Sequence, residues 1–241
     1  MNDDAFRKIL QIDGTLFCSL RFLKNWEKLI DNVGEGDFYK MIEDIEIPRI
    51  FPLLKIFECP TRKGLRRLRY RVEAALCQFG AMDLDIGNRI GRKVLIYSFP
   101  NHIRNLIENE DVEPRVIQPF GLDDHHHIVL KEKIEEFNKS TGKDVGLRCS
   151  DFITVTNDIN WADIIMIEAY GISENLDTNV FVSQGVPFLV QLAYRRKPVF
   201  LVISDSQWPK YKLTPRFSME GTQIPLVFFS NIITEKGLCK R

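Results

Sequence analysis

The feature that most constrains this chain is a train of short, almost purely apolar runs in its second half. They are Lys93-Val94-Leu95-Ile96-Tyr97-Ser98-Phe99, Pro114-Arg115-Val116-Ile117-Gln118, Val145-Gly146-Leu147-Arg148, Asp163-Ile164-Ile165-Met166-Ile167-Glu168, Pro198-Val199-Phe200-Leu201-Val202-Ile203 and Pro225-Leu226-Val227-Phe228-Phe229. Each is too short for a helix and too continuous for a strand with one wet face. Helical stretches lie between them: from Pro100-Asn101 to near Glu108, from Ile128 to Lys139 with Gly142 closing it, and from Pro187 to Arg195. Buried strands alternating with helices predict a parallel sheet covered on both faces, an α/β fold of the Rossmann-like type.

Before residue 90 the texture differs. Leu65, Leu68, Val72, Ala75, Leu76 and Phe79 recur at spacings of three and four, one face of a helix. Leu16, Leu20, Phe22, Leu23 and Leu29 form a looser stripe, and Pro48, Pro52 and Pro60 divide this half into short helices. The expectation is an α-helical N-terminal domain over 1–90 followed by a Rossmann-like α/β domain over 91–241.

Charge and cysteine content exclude several classes. Lys plus Arg and Asp plus Glu number 33 each, so no global charge favours DNA or a membrane surface. No apolar run approaches the roughly 18 residues that span a bilayer. Met1-Asn2-Asp3-Asp4 lacks the basic and apolar pattern of a signal peptide. Cys18, Cys59, Cys77, Cys149 and Cys239 are odd in number and scattered, which reads as reduced packing thiols of a cytoplasmic protein.

Ligands of such a sheet bind outside the carboxyl ends of its strands. Here those ends are Ser98-Phe99-Pro100-Asn101, Gln118-Pro119-Phe120-Gly121, Glu168-Ala169-Tyr170-Gly171 and Ser204-Asp205-Ser206. No GxGxxG follows the first strand and no GxxxxGK[ST] occurs, so no dinucleotide or P-loop site is expected.

Several segments resemble the translation initiation factor 2B family, which comprises the alpha, beta and delta regulatory subunits and related sugar-phosphate isomerases. They are Ala162-Asp163-Ile164-Ile165-Met166-Ile167-Glu168-Ala169-Tyr170-Gly171, Gln191 to Val202 around Pro198, Lys210-Tyr211-Lys212-Leu213-Thr214-Pro215-Arg216-Phe217, and Leu226-Val227-Phe228-Phe229-Ser230-Asn231-Ile232-Ile233. The last two are most similar to the beta subunit. The resemblance implies a regulatory subunit of the complex that exchanges guanine nucleotide on translation initiation factor 2. Its partners would be alpha, gamma, delta and epsilon subunits and factor 2 itself, in a homo- or hetero-oligomer, with no catalytic residue, metal or cofactor of its own.

The isomerase branch of the family needs a cysteine after the first strand, an aspartate after the fourth and a phosphate-binding arginine after the second. In this chain those places fall on Ser98 to Asn101, on Tyr170 and on Gln118, and a later Asn-Lys-x-Gly falls on Val180-Phe181-Val182-Ser183. An acid, a base and a phosphate donor are lost together, so the reaction is not expected. A degenerate isomerase relative that keeps phosphosugar or nucleotide binding is the alternative, and a generic Rossmann-like hydrolase or transferase a more distant one.

Four further features carry charge. His125-His126-His127 reads as a solvated loop before a helix, because adjacent residues rarely converge on one ion. In the basic stretch from Arg62 to Arg71, Lys63, Arg67, Tyr70 and Arg71 share the face opposite Leu65, Leu68 and Val72. Arg67 and Arg71 are the candidate partner-binding residues. Arg195-Arg196 and Lys197 read as an ordinary helix end. Glu174 and Asp177 read as turn carboxylates. Finally, Val199 to Ile203, Pro225 to Phe229 and Ile232-Ile233, with many of the 17 Phe residues, suggest surplus apolar surface for an interface.

Overall fold

The computed structural model describes residues 12–34, 36–38, 61–120, 123–151, 153–173, 179–183, 185–207 and 221–240. Pro48, Pro52, Pro60, Glu174, Asp177 and the Lys210–Phe217 segment lie outside the described residues. In chain order the elements are α1 (Thr15–Val33), α2 (Arg62–Ala81), α3 (Ile86–Arg89), β1 (Lys93–Tyr97), α4 (Asn101–Glu108), β2 (Glu113–Ile117), α5 (Asp124–Thr141), β3 (Gly146–Arg148), α6 (Val155–Trp161) and β4 (Ile164–Glu168). Then come β5 (Gly171–Ser173), β6 (Asn179–Ser183), α7 (Val186–Ala193), β7 (Val199–Val202), β8 (Gly221–Pro225), β9 (Asn231–Thr234) and β10 (Gly237–Lys240).

The main sheet has seven strands in the order β10-β9-β7-β4-β1-β2-β3. Its neighbours pair in parallel except β10, which returns antiparallel along β9. Strand order reverses between β1 and β4, the switch point at which open α/β sheets form their ligand crevice. The expected mixed α/β fold with a mostly parallel sheet and an N-terminal helical region is present. Strands β5, β6 and β8 form a small antiparallel sheet beside it.

Alternation along each strand sorts the core into two layers. Val94, Ile96, Val116, Ile164, Met166, Phe200, Val202 and Ile233 share a cluster with Leu16, Leu23, Leu65, Leu68, Val72 and Phe79 of α1 and α2. Leu95, Tyr97, Ile117, Ile165, Ile167, Val199, Leu201 and Ile232 share a second cluster with α6 and α7. The apolar core therefore continues across residue 90. Helix α2 begins at Thr61, whose hydroxyl accepts from the Gly64 amide at 3.1 Å, and its periodic apolar stripe packs against α1 and α4 within the cluster that reaches the sheet.

Two expectations about elements are corrected. The run Pro225 to Phe229 is not the sixth buried strand of the sheet. Leu226–Phe228 is a single 3₁₀ turn, and the strand is β9, six residues further on from Pro225 at Asn231. Leu226 and Phe229 are buried at a spacing of three while Val227 between them is 54% exposed, the period of a 3₁₀ turn. The histidines do not precede α5 in a loop. The Asp123 carboxylate accepts from the His126 amide at 3.0 Å, so capping starts the helix at Asp124 and places all three in its first turn.

The surplus of apolar surface expected at the end of the chain is also reduced. Val199 to Ile203, Phe181, Phe229, Ile232 and Ile233 are buried within the chain's own layers. Among the described residues, the large apolar side chains left most open are Val33, Tyr70, Ile128, Ile153 and Val227.

Candidate functional site

At the switch point the crevice is filled by the chain itself. Gly14, at φ 80°, lets the backbone enter α1 directly above the carboxyl ends of β1 and β4. The Thr15 amide donates to Glu168 Oε1 at 2.5 Å, and Glu168 is 6% exposed. The fully buried His102 brings its Nδ1 within 3.9 Å of the same carboxylate oxygen. A β-carbon on Gly14 would lie 2.4 Å from Pro100 Cβ and 3.1 Å from Glu168 Oε1. Gly14→Ala should therefore push α1 off the sheet and lower stability by about 1–2 kcal/mol, read by urea denaturation; an unchanged midpoint would show that the seat is loose.

This polarity opposes a phosphate site. In a phosphate site the free amides of a helix N-terminus face the anion. Here the amide at the start of α1 is taken by an internal carboxylate, and a second anion would meet the Glu168 charge at short range. The seat is tied on its outer side by Asp13, which pairs with Lys133 of α5 and lies 3.8 Å from Arg21. Burial pushes Lys133 down to about 8, with Glu136 opposing, so it still carries its charge at neutral pH.

The neighbouring strand ends are closed in the same way. Ser204 Oγ donates to Glu235 Oε1 at 2.9 Å, and the Asp205 amide donates to Glu235 Oε2 at 3.0 Å. Gln207 accepts from the Ser204 amide and donates to the Ala169 carbonyl. Lys236 pairs with Asp205, whose hydrogen bond and charge raise the lysine above its ordinary range; the charge of Arg71 acts in the opposite sense. Tyr170 is buried against Phe181, and Val180, Phe181, Val182 and Ser183 are buried in β6.

Gln118 does have polar neighbours, which the sequence reading missed. Its Oε1 lies 2.6 Å from His127 Nδ1 and accepts from Cys149 Sγ at 3.2 Å. Cys149 follows β3 at the carboxyl edge, a position that could have flagged it. The reading of the cysteines as packing residues is corrected for Cys77, Cys149 and Cys239, which are exposed; Cys18 is buried, and Cys59 lies outside the described residues. The three imidazoles do not converge. His126 Nδ1 meets Asp123 at 2.5 Å, while His127 turns to Gln118. Among the described residues, no group of three His, Cys, Asp or Glu side chains is placed to hold a metal ion. No described helix is long and apolar enough to cross a membrane.

The basic helix divides cleanly. Arg62 pairs with Asp31 at 3.6 Å and Arg66 with Glu27 at 2.6 Å, both on α1, and Arg69 pairs with Glu73 at 3.1 Å. The adjoining stripe of Lys63, Arg67, Tyr70 and Arg71 is exposed, Tyr70 to 69%. Among the described residues no carboxylate lies within ion-pair distance of Arg67 or Arg71.

The fold thus defines a class: a helical segment packed on a Rossmann-like parallel sheet whose ligand crevice is internally plugged. It is the fold of solved translation initiation factor 2B subunits. The crystal structure of translation initiation factor eIF-2B from Pyrococcus horikoshii OT3 is similar over 100% of this chain and 98% of that one, with a TM-score of 0.68 and 13% identity. The tetrameric eIF2B-beta2-delta2 complex from C. thermophilum is similar over 97% of this chain and 88% of that chain, with a TM-score of 0.64 and 13% identity. For eIF2B beta from Chaetomium thermophilum the coverage is 97% and 85%, with a TM-score of 0.56 and 13% identity. No protein-family model matches the chain, and no curated protein matches it significantly.

Proposed function

We propose that the chain is a regulatory-type subunit, beta-like, of the guanine nucleotide exchange factor complex that acts on translation initiation factor 2, structural and regulatory rather than catalytic. The observation that carries this reading is the plug. Where an enzyme of this fold would hold its substrate, the amide of Thr15 is seated on Glu168. The family segments in the sequence and the shared fold supply the rest. Its partners are homologous alpha and delta subunits, the gamma and epsilon subunits, and factor 2, in the cytoplasm.

Co-expression with a delta-type subunit tests the reading. The two chains should co-sediment as one species, and the purified chain should give no ketose product from ribose 1,5-bisphosphate. A monodisperse monomer that ignores the delta subunit, or enzyme-like turnover, overturns it.

The open stripe of α2 is the surface proposed to meet an acidic face of factor 2. Arg67→Glu with Arg71→Glu should weaken that binding by about threefold to tenfold at low salt, mostly through a slower on-rate. Binding that is unchanged at low salt returns these residues to solvent.

A further inference from the structure

We propose that the cleft between the α7–β7 turn and the Leu226–Phe228 turn is a docking site for an acidic peptide segment that carries a large apolar side chain. The cleft measures about 390 Å³ and lies at the amino-terminal edge of the sheet, beside Pro198 and Ser230. It is thus at the opposite edge from the plugged crevice, and the inference does not depend on the assembly reading above.

Its floor is apolar and its rim cationic. Tyr194 and Phe228 meet edge to face at 4.8 Å, and Val227 beside them is 54% exposed. Arg195, Arg196 and Lys197 stand along one side. The Arg195 guanidinium lies 5.3 Å from the Tyr194 ring centre, and Lys197 Nζ donates to the Asn160 carbonyl at 3.2 Å. The cleft lining contains no carboxylate, and among the described residues none lies within ion-pair distance of these three cations. An apolar shelf under uncompensated positive charge matches a segment that brings both an anion and a bulky side chain.

The C-terminal end of α7 accounts for some positive charge, because cations suit that end of a helix. It does not account for the backbone of Arg195. This residue has φ 63°, in the left-handed region just past the helix end, where glycine is the usual occupant. The turn is fixed there: the Tyr194 amide donates to Val190 O at 2.8 Å, and the Arg196 and Lys197 amides donate to Ala193 O at 2.9 and 3.0 Å. A non-glycine residue held in that conformation costs stability, and such outliers gather where a side chain is needed.

The geometry favours a peptide over a nucleotide. Rings packed edge to face offer a shelf, whereas a base needs an open parallel face to stack on. Guanidinium groups pair well with planar carboxylates.

The test uses the full chain and a fluorescein-labelled probe peptide, Asp-Glu-Trp-Leu-Glu-Asp, with Asn-Gln-Trp-Leu-Gln-Asn as the neutral control. Anisotropy at low salt should show binding of the acidic probe and little of the control. Arg195→Glu with Arg196→Glu should weaken binding about tenfold. Arg195→Gly separates function from folding: it should raise the melting temperature while weakening the probe roughly threefold. Equal binding of both peptides overturns the proposal, as does a lower melting temperature for Arg195→Gly. Displacement of the probe by AMP at matched concentration would assign the cleft to nucleotides instead. A change of sedimentation coefficient in the double variant would assign it to a second copy of this chain.

Discussion

Phe79→Ala is expected to cost about 3–5 kcal/mol, the range for deleting a fully buried aromatic ring whose surroundings only partly collapse. Phe79 is fully buried on α2, its ring centre 5.4 Å from that of His102 on α4. It belongs to the cluster that joins α1 and α2 to the sheet. At this chain length each kcal/mol shifts the melting temperature by roughly 2–4 °C, so the loss should approach 10 °C or more. Urea denaturation followed by far-UV circular dichroism and tryptophan fluorescence checks it. Trp26 lies in α1 and Trp161 in α6, so the fluorescence samples both sides of the molecule. One shared transition is expected, moved to lower urea in the variant, since no break in the apolar core separates the helices from the sheet. Two separated transitions would mean that α2 merely rests on the sheet. Phe79→Leu keeps most of the volume and should cost only about 1–1.5 kcal/mol.

Glu168→Ala should be the most damaging polar substitution, at about 2–4 kcal/mol. It removes a charged acceptor from a buried helix N-terminus, leaving the Thr15 amide without that partner and losing the favourable charge at the positive end of α1. Glu168→Gln keeps an acceptor oxygen but not the charge and should recover roughly half of the loss. The same denaturation experiment reads both. A Glu168→Ala variant as stable as the parent would show that the carboxylate is not what seats α1, and would remove the observation on which the functional reading rests. A useful second measurement is proteolysis near Gly14, which should accelerate in the alanine variant as α1 lifts from the crevice.

The two substitutions probe different layers of legibility. Phe79 was visible from spacing alone: Leu65, Leu68, Val72, Ala75, Leu76 and Phe79 recur at three and four, and the structure buries all of them except Leu76, which is half-buried against the same cluster. The strands β1 to β4 and β7 were visible for a similar reason, whereas β5 and β6 were not read from the sequence. A strand buried on both faces must be apolar at nearly every position, and β4 is buried at all five. The exposed stripe of Lys63, Arg67, Tyr70 and Arg71 follows from the same helical period.

The two misread elements have different causes. Pro225 to Phe229 has the composition of a buried strand, but composition does not distinguish a period of two from a period of three over five residues. Only the packing of Leu226 and Phe229, with Val227 left outside, decides for a 3₁₀ turn. His125 to His127 entered α5 because Asp123 caps it, a single hydrogen bond that outweighs the weak helical preference of three histidines.

What the sequence by itself determined is most of the parallel strands (β1 to β4 and β7), the helices α1, α2, α4, α5 and α7, which face of α2 is apolar, and that the dinucleotide and P-loop fingerprints are missing. Those properties depend on local periodicity and composition, which are written along the chain. What only the tertiary structure decided is where distant polar groups meet. Thr15 and Glu168 are 153 residues apart, and Asp13 and Lys133, which also pair, are 120 apart. Tyr194 packs on Phe228 across 34 residues of chain. None of these pairs has a sequence signature, because a hydrogen bond or a ring contact imposes no spacing on residues brought together by the sheet. The plugged crevice, and with it the case for a non-catalytic subunit, exists only once the strand order places the start of α1 over the end of β4.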